Sequence, residues 1–116
     1  MANVEVRSFE RSDEVNEHPD GIARAEMVEL NGKRVGRATM QPGWRWSVHM
    51  RPAAGTDSCE VEHIGYVVQG RLAVVMDDGT EIEIGPGEAY HVPPGHDAWV
   101  VGDEAVVHVD FAGLAG

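Results

Sequence analysis

Cysteine is almost absent: Cys59 stands alone among 116 residues, so no internal disulfide can form and the chain suits a reducing compartment. Basic residues are scarce too. Nine Lys and Arg face 20 Asp and Glu, and the net charge of −11 repels nucleic-acid phosphates and anionic lipid head groups. No apolar run approaches the ~20 residues of a membrane-spanning helix, and the opening MANVEVRSFERSDE is charged where a secretory signal is apolar. Nucleic acid and membrane are therefore excluded as expected partners, and the expected location is the cytoplasm. Internal repeats and low-complexity tracts are also missing. A chain of this length forms one domain with a real core.

Punctuation is plentiful. With 14 Gly and 6 Pro, the sequence breaks into short stretches that read as strands. Ala25 to Leu30 and Arg34 to Met40 flank Asn31-Gly32, the strongest short hairpin signal, since both residues tolerate positive φ. Pro42-Gly43 leads into Trp44 to Met50, an expected strand with Trp44, Trp46, Val48 and Met50 on one face and His49 on the other. His63 to Val68 and Arg71 to Met76 read as a pair turning at Gln69-Gly70. Asp77-Asp78-Gly79 introduces Thr80 to Ile84, in which Ile82 and Ile84 alternate with acids. Ala89 to Val92, His96 to Val101 and Ala105 to Phe111 complete about nine strands, the last two joined around Gly102-Asp103. Ser8 to Gly21 reads as an acidic loop or a single helical turn. The expected fold is an all-β sandwich or closed barrel.

Two spaced patterns narrow that choice. Gly43, five residues and His49-x-Arg51, then His63 and six residues to Gly70, are followed by Gly87, five residues and Pro93-x-Gly95. Over residues 42 to about 98 the chain resembles the two signature motifs of the cupin superfamily, in particular its small single-domain members of the conserved-barrel type. The resemblance implies a double-stranded β-helix, or jelly-roll barrel, over residues 25–112, with residues 1–24 as an N-terminal extension or lid. It also implies a metal ion between the strands.

The implied ligand places are altered. His49 stands at the first histidine, Arg51 at the second, His63 at the glutamate and Ala98 at the last histidine. The loop between Arg51 and His63 is about seven residues longer than the family pattern and carries Asp57 and Cys59. In an alternative register Asp57-x-Cys59 fills the paired-histidine places, with three residues between Cys59 and His63. His96 lies two residues before Ala98 and on the same side of an extended strand. The candidate metal ligands are therefore His49, Cys59, His63 and His96, with Asp57 as an alternative to His49. Thiolate with imidazole suits Zn²⁺ first, with Mn, Fe or Ni also open.

Candidate catalytic residues are His49, His96 and Tyr90, and candidate substrate-binding residues are Arg51 and Trp99. Asp97 is a candidate to orient His96. His91 and His108 are read as surface or rim. The resemblance permits lyase, isomerase and dioxygenase chemistry on a small polar molecule, and fold alone does not choose among them. Three other readings stand beside it: a ligand- or metal-binding module without catalysis, a metal-independent acid/base dehydratase-like cupin using His49, His63 and Tyr90, and an interaction protein whose site has decayed. The resemblance and the apolar Trp44/Trp46 face favour a homodimer.

Overall fold

The computed structural model describes residues 3–111, so residues 1–2 and 112 of the expected extension and barrel lie outside the described residues. Its nine strands form two antiparallel sheets that share one buried core, a jelly-roll barrel. In chain order the strands are β1 (Glu14–Glu17), β2 (Ala23–Leu30), β3 (Lys33–Met40), β4 (His63–Gln69), β5 (Arg71–Met76), β6 (Glu81–Ile84), β7 (Ala89–Val92), β8 (His96–Val101) and β9 (Val106–Asp110). The larger sheet has the order β1-β2-β3-β9-β4-β7 and the smaller β6-β5-β8. Val67, Ala38 and Val106 from the first meet Leu72, Val74, Ala98 and Val100 from the second. No helix among the described residues is long and apolar enough to cross a membrane.

The Asn31-Gly32 hairpin forms as expected, with φ of 49° and 78° closing β2 onto β3 in the register Leu30 to Lys33. Other pairings differ. β4 and β5 are consecutive but belong to opposite sheets, as do β8 and β9. Gly70 turns the first of these corners at φ 79°, and a Cβ there would sit 2.5 Å from the Ala105 carbonyl. The close approach of two segments of the chain, rather than a hairpin, fixes glycine at that corner.

The expected strand Trp44 to Met50 is replaced by two one-turn helices, α1 (Trp46–His49) and α2 (Arg51–Ala54). Pro52 lies in the first turn of α2, where its missing N–H costs nothing. Ala53 and Ala54 follow with high helix propensity, and Gly55 ends the turn in the left-handed region at φ 74°. Trp44 and Trp46 both enter the core, whereas Val48 and Met50 are exposed. The indole face proposed for a dimer is thus buried within the chain. Ile82, expected inside, is also exposed, while Ile84 is buried.

The N-terminal segment is more ordered than a loop. Phe9–Arg11 makes a 3-10 turn capped by Ser8, and β1 pairs along β2 with Glu14 opposite Met27. The segment expected as an extension therefore supplies an edge strand and the start of β2 to the larger sheet.

Candidate metal centre

Cys59 precedes β4 and forms an isolated bridge with His96, the first residue of β8. The Cys59 N–H donates to the His96 carbonyl at 2.7 Å, and the Gly95 N–H donates to the Cys59 carbonyl at 2.7 Å. Directly opposed residues on neighbouring strands bring their side chains close together. His63 opens β4 on the adjacent sheet, with its Nε2 3.7 Å from the Cys59 Sγ. One ligand atom from each of Cys59, His63 and His96 lies within 4.8 Å of the other two.

Both imidazoles are oriented from behind. His63 Nδ1–H donates to Asp110 Oδ2 at 2.8 Å, and Asp110 is buried on β9. His96 Nδ1–H donates to the Pro93 carbonyl at 2.8 Å, a contact made possible because Pro93-Pro94-Gly95 folds the chain back before β8, with Gly95 at φ 92°. With each Nδ1 committed, each Nε2 is left to face the thiol. This is the arrangement by which proteins fix the tautomer of metal-binding histidines, and the residues present fit a late divalent ion.

The same contacts shift protonation. Burial opposes ionisation of the Cys59 thiol, but hydrogen bonds from His63, His96 and the Val61 backbone outweigh it and bring the thiol down to about 6. Burial by itself would lower His63, yet its hydrogen bonds to Asp110 and Cys59, with their negative charges, raise it to about 9. Without metal the neutral-pH state is a thiolate beside an imidazolium.

Beyond Asp110 the network continues along the inner face of the larger sheet. Tyr90 Oη lies 2.7 Å from His108 Nδ1, and the hydroxyl also donates towards Asp110 Oδ2 at 3.4 Å. Burial, the Asp110 charge and that hydrogen bond push the phenol up, so it keeps its proton. Burial takes His108 down to about 4, against the attraction of Asp110, so its ring is neutral. Gly65 makes room for this cluster: a Cβ would clash with the Val109 carbonyl and stand 2.6 Å from Tyr90 Oη.

Cys59, His63, His96, Tyr90 and His108 all line a cavity of about 440 Å³. This size lies within the range of small-molecule pockets. Asn16, Glu17 and Arg24 line it and are exposed, so the barrel opens beside β1 and β2. His49 also lines the cavity but stands outside the Cys59 group. Its ring meets His18 edge-on at 5.6 Å, and its Nδ1 accepts from the Arg45 N–H at 3.1 Å.

The other expected site residues lie elsewhere. Arg51 pairs with the fully exposed Asp57 at 3.1 Å, and neither lines the cavity. Trp99 lies under the Arg45 guanidinium at 4.6 Å, also away from the cavity. Asp97 points to the opposite side of β8 from His96, accepts from the Ser47 N–H and Arg45 Nε at 3.0 Å each, and thereby holds α1 against the barrel. Its carboxyl feels burial but is lowered by the Ser47, Ala98 and Arg45 hydrogen bonds. His91 is at the surface with Glu62, whereas His108, expected there too, lines the cavity.

Sequence reasoning missed Asp110 and misplaced His108. Their signal is the period of two in β9, where Val106, His108 and Asp110 share the inward face. Two polar residues on a core-facing row need partners, and here they are the site.

A family model described as the Cupin domain matches residues 36–111. No curated protein matches the chain. Among solved structures, a protein of unknown function from Rhizobium leguminosarum aligns with a TM-score of 0.63 at 21% identity, covering 96% of this chain and 99% of that one. KdgF from a Halomonas species aligns at 0.58 and 21% identity over 86% of each chain. A cupin-like protein from Thermotoga maritima aligns at 0.55 and 17% identity, covering 78% of this chain and 67% of the other. At these identities the likeness is one of fold.

Proposed function

The chain belongs to the cupin family, and on that footing we propose that it holds a divalent metal ion through Cys59, His63 and His96 and presents it to a small molecule in the barrel. The observation that carries this reading is the pair of histidines with each Nδ1 tied to an acceptor and each Nε2 left to the thiol. Zinc is the ion favoured by one thiolate and two imidazoles, and three protein ligands leave its fourth position for water or substrate. When bound, such an ion polarises a ligand oxygen.

The chain's own residues supply the rest. Asp110 keeps the His63 ring in place, and Tyr90 presents a hydroxyl that retains its proton. His49, at the cavity but apart from the ligands, is the residue we assign to moving protons to and from the pocket. Proton transfer beside a polarised oxygen, in the lyase or isomerase class, is favoured over dioxygenase chemistry because zinc has no redox states. We read the chain as a single cytoplasmic domain that pairs as a homodimer, for which the exposed Ile64, Tyr66 and Val68 on β4 provide an apolar strip. Elemental analysis of protein purified without chelator tests the metal reading: one ion per chain is expected, and a metal-free protein that zinc fails to stabilise rejects it.

A second reading has its own support. Cys59, His63 and Asp110 stand in the order nucleophile, base and orienting carboxylate. In that case Cys59 reacts readily with iodoacetamide whether or not zinc is present. The metal reading expects zinc to protect the thiol.

A further inference from the structure

We propose that the ligand of this cavity is a predominantly apolar molecule with a single oxygen-bearing head, seated between the Cys59/His63/His96 cluster and the Tyr90–His108 pair; the metal-facing half of the proposal rests on the reading above. This departs from the small polar molecule expected from sequence. The reason lies in how the polar groups are distributed around the wall.

Away from the cluster and the exposed opening, the wall is built from side chains such as Ala25, Ala38, Leu72, Val74, Ile84 and Ala98. None of these can donate or accept a hydrogen bond. A sugar or other polyol would bury several hydroxyls against them without partners, at a cost of about 1–3 kcal/mol for each. An alkyl or aryl body suffers no such penalty and gains from leaving water. Alanines at positions 25, 38 and 98 also explain why the interior of a small barrel is open rather than filled: each is a core-facing site where a larger apolar residue would occupy the space.

Tyr90 and His108 are joined to the Cys59/His63/His96 cluster through Asp110, so these polar groups lie together. Trp44, whose buried Nε1–H has no partner among the described residues, and His49 also line the cavity. His108 Nδ1 is engaged by Tyr90 Oη at 2.7 Å, while its Nε2 has no hydrogen-bond partner among the described residues and belongs to a ring that lines the cavity. Whichever atom of the Tyr90–His108 pair carries the shared proton, Nε2 remains available to a ligand, as a donor in one tautomer and an acceptor in the other. His108 is thus a positioning residue for the oxygen head. The long axis of the ligand then runs from that head between apolar walls towards the opening near Asn16 and Glu17.

The test uses hydroxamates, which share one metal-binding head and differ only in the tail. Zinc-loaded protein is titrated with butano-, hexano- and octanohydroxamate and with gluconohydroxamate, and metal content is measured on the same sample. Affinity is expected to rise about three- to fourfold per added methylene until the tail reaches the opening, with gluconohydroxamate the weakest. Replacing His108 by Phe is expected to weaken the alkyl series about three- to tenfold at unchanged zinc content, with recovery in His108→Gln. Equal or tighter binding of gluconohydroxamate, a series flat in chain length, or a His108→Phe protein of wild-type affinity overturns the proposal. Absence of bound zinc with selectivity for alkyl tails retained overturns the metal reading alone.

Discussion

Cys59 and His96 are joined backbone to backbone, with the Cys59 N–H on the His96 carbonyl at 2.7 Å and the His96 N–H on the Cys59 carbonyl at 3.3 Å. That bridge decides the site. It takes a cysteine from a long surface loop and a histidine from a Pro-Pro-Gly turn and fixes both on one side of the barrel, where His63 meets them from the other sheet.

In the proposed metal centre Asp110 acts through His63. Replacing it by Asn keeps the shape but removes the charge that orients the ring and raises its basicity. Zinc affinity in Asp110→Asn, measured by competition with a chromophoric chelator, is expected to fall about 10- to 100-fold. An unchanged affinity would show that the carboxylate serves only packing.

Metal uptake should release protons in a defined window. Between about 6 and about 9 the Cys59 thiol is already ionised while His63 still carries its extra proton, so zinc must displace one proton from His63. Apparent affinity should therefore climb about tenfold per pH unit across that window and level off above it. Calorimetry in buffers of different ionisation enthalpy reads the proton count directly.

Asp97 should matter for stability and not for metal. Asp97→Ala removes the acceptor that satisfies the Ser47 N–H at the start of α1 and frees Arg45 from the barrel. A loss of about 1–2 kcal/mol is expected, as for a helix cap, with zinc stoichiometry unaffected. Because the Asp97 carboxyl is held below its ordinary value, its contribution is present above 3.8 and is lost as pH falls further. The difference between Asp97→Ala and wild type in urea unfolding should accordingly shrink in acid.

Gly65 should resist even the smallest side chain. A methyl group there meets the Val109 carbonyl and the Tyr90 hydroxyl, so Gly65→Ala must push Tyr90 away from Asp110 and His108. Overpacking of this kind costs about 1–3 kcal/mol, and the melting temperature should drop by several degrees. The double variant Gly65→Ala/Tyr90→Phe, which lacks the hydroxyl, should recover part of that loss.

The barrel was legible because glycine and proline spacing marks the corners of short strands, and Asn31-Gly32 specifies its own hairpin. Partner choice was less so. Consecutive strands such as β4 and β5 cross between sheets at Gly70, and that crossing depends on a close approach to Ala105 that no local pattern records. In the site, Cys59, His63 and His96 were drawn together as candidates by the resemblance to the cupin motifs, and the fold sets them side by side. Arg51 was not separable from them, because its direction depends on whether Trp46 to Ala54 is strand or helix. Trp99 was, since the period of two that turns His96 and Ala98 inward turns Trp99 to the other face of β8. The period-two reading overlooked Pro52 and Gly55, which favour short helical turns there. Asp110 and His108 were hidden in an ordinary valine-rich strand.

Cys59, His63 and His96 are proposed to hold one metal ion without His49, and a Co²⁺ titration followed by absorbance decides between that set and one that includes His49. Wild-type protein and His49→Ala are expected to show a thiolate charge-transfer band that saturates at one equivalent and is displaced by Zn²⁺, while Cys59→Ser loses the band and His96→Ala binds far more weakly. A titration without that band in the wild type, or one abolished by His49→Ala while His96→Ala leaves it intact, would rule out a Cys59/His63/His96 metal centre.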